Sequence, residues 1–214
     1  MDKKFGPQDV EIVSREPLYE GFFRMEKYRY RHKQYLGGWS PIIQREIFER
    51  GNAVGVLLFD PRLDRFVMIE QCRPGALDDK HSPWLLEIIA GMVEEGEYPH
   101  EVAHREAEEE ARCSIYKLLE MPSYWVSPGG TSEYVDLFLG LVDSSNLVDY
   151  AGLDDEHEDI KVLAVTRQEM LQLLANGGIS NAMALIAVQW FLLNEQQLEL
   201  ADERSTDPRI MDSF

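Results

Sequence analysis

The chain has 214 residues, 21 of them basic and 39 acidic, for a formal net charge of −18. That length suits one domain or one domain with a small appendage, and 44% hydrophobic with 10% aromatic residues excludes an intrinsically disordered chain. The negative balance speaks against nucleic-acid partners, no apolar run nears the roughly 18 residues of a membrane span, and two cysteines behind a start without an apolar signal core predict a reduced, cytoplasmic protein.

In chain order, Asp9 to Tyr19 and Phe22 to Lys33 alternate imperfectly between breaks at Gly21 and Gly37-Gly38, which predicts two strands of an N-terminal sheet. Gln44 to Phe48 and Ala53 to Phe59 continue the strand pattern, Asp60 to Asp64 is a turn, and Phe66 to Cys72 is a further strand. An apolar run from Trp84 to Ile89 ends at Gly91. Glu101 to Ala111 predicts a helix, with Pro99 near its start. Glu120 to Val126 and Tyr134 to Val142 are predicted strands, separated by the turn-rich Ser127 to Ser132. Ser144 to His157 is an acidic loop and Ile160 to Val165 a strand. Thr166 and Glu169 have capping-box spacing and start a helix of two or three turns that Gly177-Gly178 ends. Ser180 is the expected cap of a last helix through Asn194, with an apolar stripe at Ala184, Ile186, Ala187, Trp190 and Phe191. A polar, loose tail is expected from Glu195 to Phe214. The order of elements predicts an α+β or α/β sandwich, with the strands before Gly51 forming a small separate sheet.

The charge is unevenly placed. Gly91 to Glu110 holds eight acids and one base, and Asp154 to Asp159 holds five acids, whereas Arg24 to Arg50 carries seven bases against three acids. Glu106, Glu109 and Glu110 stand at i, i+3 and i+4, so a helix gathers them on one face. Like charges at that spacing repel, and clustered carboxylates suit hard divalent cations such as Mg²⁺, with Mn²⁺ as the alternative.

The spacing around them is specific. Gly91, Glu97, Arg105, Glu106, Glu109 and Glu110 resemble the Nudix box, Gly-x5-Glu-x7-Arg-Glu-U-x-Glu-Glu-x-Gly-U, where U is aliphatic. Arg112 stands where that family has glycine and Cys113 where it has an aliphatic residue. The missing glycine should cost about 1 kcal/mol at the helix end, unless the helix ends another way. Gly91 is expected to let the chain turn, and Glu97 and Arg105 to form an ion pair. The resemblance implies a Nudix α/β/α sandwich with a mixed sheet. It also implies metal ligation by Glu106 and Glu110, with Glu109 beside them and the backbone carbonyl of Ala90 as a further ligand.

Outside the box, Pro128 follows Cys113 by 15 residues, the distance that marks the ADP-ribose pyrophosphatase subfamily. Arg45 to Gly51, Glu70 to Arg73, Trp84 to Glu87, Gly152-Leu153 and Glu156 to Ile160 carry the resemblance to bacterial members of that subfamily along most of the chain. It implies a homodimer that exchanges small N-terminal antiparallel sheets, with residues 1–50 as a dimerisation and substrate-contact domain and 51–214 as the catalytic domain. Phe22 and Phe23 match positions that hold the adenine end, the alternative being strand core. Arg45, Glu46 and Arg50 match partner-subunit contacts, and Arg73 a contact to the diphosphate, which guanidinium geometry favours. Met92 would act through its backbone, and Ser127 and Glu133 match contacts near the ribose end. Glu156 matches the general base and Glu158 a metal ligand, with His157 between them a weaker candidate for base.

The implied activity is Mg²⁺-dependent hydrolysis of ADP-ribose to AMP and ribose 5-phosphate. The alternatives are another nucleoside diphosphate sugar as substrate, or a non-catalytic ADP-ribose sensor. The intact box carboxylates and a tail that is short and not basic weigh against the sensor.

Overall fold

The computed structural model describes residues 4–198 and 200. Twelve strands and three α-helices occur among them. They fall into two units. The smaller runs to Asn52 and takes in Tyr124–Val135; the larger holds Ala53–Ser123 and the chain from Asp136 onward.

The smaller unit is built on a three-stranded antiparallel sheet in the order β1 (Val10–Glu20), β2 (Arg24–His32), β3 (Ile43–Glu49). β1 is the edge strand, which is where Pro17 can sit without costing a ladder bond. Its pairing with β2 shifts register between Ile12 and Ser14 and again between Pro17 and Tyr19. The strand expected from Phe22 begins only at Arg24, so Phe22 and Phe23 belong to the bend before β2.

The larger unit carries strands in the order β11 (Tyr150–Ala151), β12 (Ile160–Thr166), β5 (Arg65–Cys72), β4 (Ala53–Asp60), β10 (Tyr134–Leu141), β8 (Lys117–Glu120). β6 (Trp84–Glu87) pairs with β5, and β7 (Ile89–Met92) pairs with β4. The sheet is mixed. The single strand expected over Glu120 to Val126 is two, β8 and β9 (Tyr124–Trp125), interrupted at 121–123 where Met121 is buried. β9 pairs with the first two residues of β10 inside the smaller unit. The acidic loop is also more ordered than its composition suggests: it contains β11 and a 3-10 turn at Asp154–Glu156.

β4 shows how the layers form. Val54, Val56 and Leu58 point to one face and pack with Val102, Ala103, Ala107 and Ala111 of α1 (Pro99–Ala111). The intervening positions look the other way: Phe59, together with its cross-strand neighbour Phe66 of β5, meets Phe191 of α3 (Ala182–Asn194), with ring centroids 4.8 and 5.3 Å from it. A period of two along a fully buried strand therefore separates α1 from α3 and makes an α/β/α sandwich. α2 (Arg167–Asn176) has its expected capping box, with the Thr166 hydroxyl and Glu169 carboxylate exchanging hydrogen bonds with each other's backbone N–H, and it ends at Gly177 in the left-handed region.

Two details of α3 differ from the sequence reading. Its N-cap is Asn181, not Ser180, because the Asn181 side chain accepts from the Ala184 N–H at 3.1 Å. Its buried positions are Ala184, Ala187, Val188 and Phe191; Ile186 is exposed and Trp190 half-buried. That is the i, i+3, i+4, i+7 stripe of a helix on one sheet. Of the expected loose tail, Glu195–Gln197 form a 3-10 turn, and residue 199 and those beyond 200 lie outside the described residues. Among the described residues no helix is long and apolar enough to cross a membrane.

Candidate active site

Helix α1 begins with Pro99 at its first position, where a missing N–H costs nothing. Ala103, Ala107 and Ala111 line its buried face, and their small side chains let it lie close to β7 and β4. Glu106 and Glu110 share that buried side, with 9% and 3% of their surfaces exposed. Room for Glu106 comes from Gly91. A Cβ on Gly91 would stand 1.7 Å from Glu106 Oε1, and its φ is not positive. The glycine is therefore needed for space, not for the turn that its place in the motif suggested.

Arg105 organises the helix face. Its Nη1 lies 2.9 Å from Glu106 Oε1 and 2.9 Å from Glu109 Oε2, and its Nε 3.3 Å from Glu97 Oε1. The expected Glu97–Arg105 pair is present, and the same guanidinium also restrains two box glutamates. Glu97 accepts in addition from the Glu94 N–H at 3.0 Å; that bond and Arg105 hold its carboxyl below the usual range. Glu110 accepts from the Ala90 N–H at 2.9 Å and, weakly, from Gln71 Nε2 at 3.5 Å. Burial pushes Glu106 up to about 7, against the opposing pull of Arg105 and with the negative charges of Glu109 and Glu158 adding to it. Burial likewise pushes Glu110 up to about 8, against the Ala90 N–H, with Glu106 and Glu158 raising it and Arg73 lowering it.

The end of α1 answers the departure from the motif. Arg112 adopts the left-handed conformation, φ 52°, that the family's glycine would adopt. The Arg112 and Cys113 N–H groups turn back to the carbonyls of Glu108 and Ala107, at 3.1 and 3.0 Å. The helix ends in the family's way with a residue that dislikes it. Cys113 is buried as a small apolar residue, and burial pushes its thiol up to about 11.

The same helix end holds the acidic loop. The Gly152 N–H donates to the Glu109 carbonyl at 3.2 Å, and Gly152, at φ 103°, lets Glu158 pass close beside it. Glu158 accepts from the Leu153 N–H at 3.2 Å, half-buried, and its charge reaches both Glu106 and Glu110. Glu156 and His157 are instead exposed, Glu156 closing the 3-10 turn and His157 left-handed at φ 56°. The structure thus brings Glu158 toward the helix carboxylates and leaves Glu156 facing solvent.

Arg73 follows β5. Its Nε and Nη2 donate to Glu87 Oε2 at 2.8 and 2.7 Å, and Glu87 Oε1 accepts from Asn181 Nδ2 at 2.7 Å. Ala90 and Met92 lie on β7, paired opposite Gly55 and Ala53.

In the smaller unit, Phe22 is 87% exposed, which removes strand core as its role, and packs edge-on against Phe23, 4.8 Å between centroids. Arg50 lies 5.5 Å over the Phe23 ring, and its Nη1 is 3.4 Å from the buried Glu133. The Ser127–Glu133 loop is tied to β3 through Phe48, whose N–H donates to Gly130 at 2.8 Å, and through a short hydrogen bond from Ser132 Oγ to Glu49. Phe22, Phe23, Arg50 and Glu133 therefore form one aromatic and charged group. Ser127 is exposed, its carbonyl accepting from Gly130 and Thr131. Arg45 and Glu46 lie exposed on β3.

The NUDIX domain model matches residues 49–186, well over half of the chain. The chain belongs to the Nudix family. This Nudix protein is 47% identical over 195 residues to the ADP-ribose pyrophosphatase of Escherichia coli, covering 91% of the chain and 93% of the relative. It is 44% identical over 204 residues to the ADP-ribose pyrophosphatase of Haemophilus influenzae, covering 94% of each. Its fold is similar to a solved structure described as an ADP compounds hydrolase, with a TM-score of 0.66, 18% identity, and coverage of 92% of this chain and all of the other.

For this Nudix protein, the donor set by α1 fits a divalent cation. Two buried carboxylates are pushed to near neutrality by lack of solvent, and a hard cation is what would favour their ionised form. Among the described residues, no three His, Cys, Asp or Glu side chains are already gathered as a metal group. Glu158 on the loop is near enough to Glu106 and Glu110 for its charge to raise both. Sequence reasoning missed two residues, Glu87 and Asn181. The signal was available for Glu87: a carboxylate inside the apolar run Trp84 to Ile89 must either be solvated or be paired. Asn181 carries no such signal, since Ser180 beside it is an equally good cap.

Proposed function

We propose that this Nudix protein hydrolyses the diphosphate of ADP-ribose to AMP and ribose 5-phosphate, using Mg²⁺, with Mn²⁺ as the alternative metal. The observation that carries this reading is the buried pair Glu106 and Glu110 beneath Gly91, pushed to about 7 and 8, in a chain so similar to two ADP-ribose pyrophosphatases. Glu106, Glu110, Glu158 and the Ala90 carbonyl would hold the metal. Bound there, it supplies positive charge to the diphosphate and acidifies a water.

The chain's own residues do the rest. Arg105 restrains Glu106 and Glu109 so that the carboxylates are in place before substrate arrives. Arg73 meets the diphosphate, with Met92 contributing backbone. Glu156 takes the proton as the water oxygen attacks one phosphorus and the bridging P–O bond breaks. Its exposed place on the 154–156 turn suits a base that swings in when substrate is bound. Phe22 and Phe23 offer an aromatic face to adenine, and Arg45, Glu46, Arg50, Ser127 and Glu133 complete the substrate contacts.

In this reading residues 1–50 form the dimerisation and substrate-contact domain and 51–214 the catalytic domain. The protein works as a homodimer with exchanged N-terminal sheets. Support comes from β1, an edge strand that exposes Val10, Ile12, Val13, Leu18 and Tyr19. The free thiols of Cys72 and Cys113 suit the cytoplasm as its setting. The decisive experiment is release of AMP from ADP-ribose with and without Mg²⁺, alongside a panel of nucleoside diphosphate sugars. A faster rate on another sugar would move the substrate assignment. Binding of ADP-ribose with no hydrolysis at any divalent metal would make the protein a sensor.

A further inference from the structure

We propose that Asn181 is a positioning residue for diphosphate binding: through the buried Glu87 it fixes the guanidinium of Arg73. The inference rests on the reading of Arg73 as a diphosphate contact. Glu87 is 3% exposed on β6, and a carboxylate that deep is stable only when its oxygens are paired. Both are. Oε2 takes two N–H groups of Arg73, and Oε1 takes the Asn181 amide at 2.7 Å.

The Asn181 amide cannot turn round to do otherwise. Its Oδ1 is committed as the N-cap of α3, accepting from Ala184 at 3.1 Å, which leaves Nδ2 to face Glu87. A cap alone needs only an acceptor, which serine or aspartate supplies equally well. This position uses both ends of an amide, and only one of them serves the helix. The other anchors Glu87, and Glu87 spends one edge of the Arg73 fork while the rest remains for a ligand. Arg73 is 39% exposed and its charge is felt at Glu110, so the anchored group borders the carboxylates of α1. Without the anchor, a long side chain with many rotamers would have to be ordered by the substrate itself.

The test is a double-mutant cycle of Asn181→Ser and Arg73→Ala. It is read by kcat and KM for ADP-ribose, by the Kd of a methylene-bridged, non-hydrolysable analogue, and by Tm. Serine keeps the cap but is too short to reach Glu87. N181S therefore leaves Glu87 Oε1 unpaired, so Tm is expected to fall somewhat while the protein stays folded at the assay temperature. Analogue binding should weaken and kcat/KM should fall roughly tenfold, the cost of one charge-assisted hydrogen bond. In the R73A background the same substitution should change either quantity less than about twofold. Wild-type-like kcat/KM and Kd in N181S, or an equal loss in both backgrounds, overturns the proposal. R73A with unchanged Kd and kcat/KM overturns the diphosphate role of Arg73 and the positioning role with it.

Discussion

Gly91→Ala is the sharpest perturbation of the site. The added methyl would lie 1.7 Å from Glu106 Oε1 and 2.1 Å from its Cδ, where ordinary contact begins at 3.4 Å. The backbone raises no objection, because φ at Gly91 is not positive. The strain therefore falls on the Glu106 carboxylate, which must retreat by roughly 1.5 Å, and a misplacement of about 1 Å can cost a factor near 100 in rate. Retreat also breaks the 2.9 Å contact to Arg105. We expect kcat for AMP release to fall by about 100-fold, which is about 2.7 kcal/mol of barrier. Stability should fall by no more than the roughly 1–3 kcal/mol of an overpacked site. Steady-state kinetics with a parallel melting curve would separate the two effects. A folded G91A protein turning over within about fivefold of wild type would refute the idea that the glycine exists to seat Glu106.

Three further outcomes are expected. Arg112→Gly should stabilise the protein by about 1 kcal/mol, a rise of roughly 2–4 °C in Tm, because it removes a left-handed arginine. A fall would mean that the 3.4 Å contact from Arg112 Nη2 to the Gly152 carbonyl outweighs the strain. Glu106 and Glu110 have folded values near 7 and 8, above the roughly 4.3 of an unfolded glutamate. Their contribution is thus fully present below about pH 4.3 and is lost as pH rises through 7 to 8. Melting in EDTA should show that loss relative to Glu110→Gln, and added Mg²⁺ should raise Tm more at pH 8 than at pH 5.5; a Mg²⁺ effect independent of pH would contradict it. Glu156→Gln should lower turnover by orders of magnitude while the methylene analogue still binds, and near-normal turnover would remove Glu156 as the base.

The local features of this chain were readable without coordinates. Glutamates at i, i+3 and i+4 with a proline ahead of them place a charged helix, because helical periodicity decides which of its side chains are neighbours. The Glu97–Arg105 pair was legible only through the resemblance to the Nudix box, Glu97 lying ahead of the helix. The capping box at Thr166 and the turn at Asp60 to Asp64 are local in the same sense. The differences were local too: Ser180 and Asn181 are both good caps, and the run from Glu120 to Val126 carries Pro122 at the centre of its break, a residue with no N–H to give to a ladder.

What neighbours in space decide could not be read that way. Spacing put Glu106 and Glu110 on one helix face as candidate metal ligands, and only packing α1 against β7 buries that face and raises their proton affinity. Gly91 looked like a turn residue, and only the position of Glu106, fifteen residues later, makes it a matter of space. Arg73 just after β5, Glu87 on β6 and Asn181 capping α3 meet because the fold brings those ends together. The motif specified which groups could do chemistry. Desolvation and close approach between distant segments, which depend on the whole packed structure, set their charge and orientation.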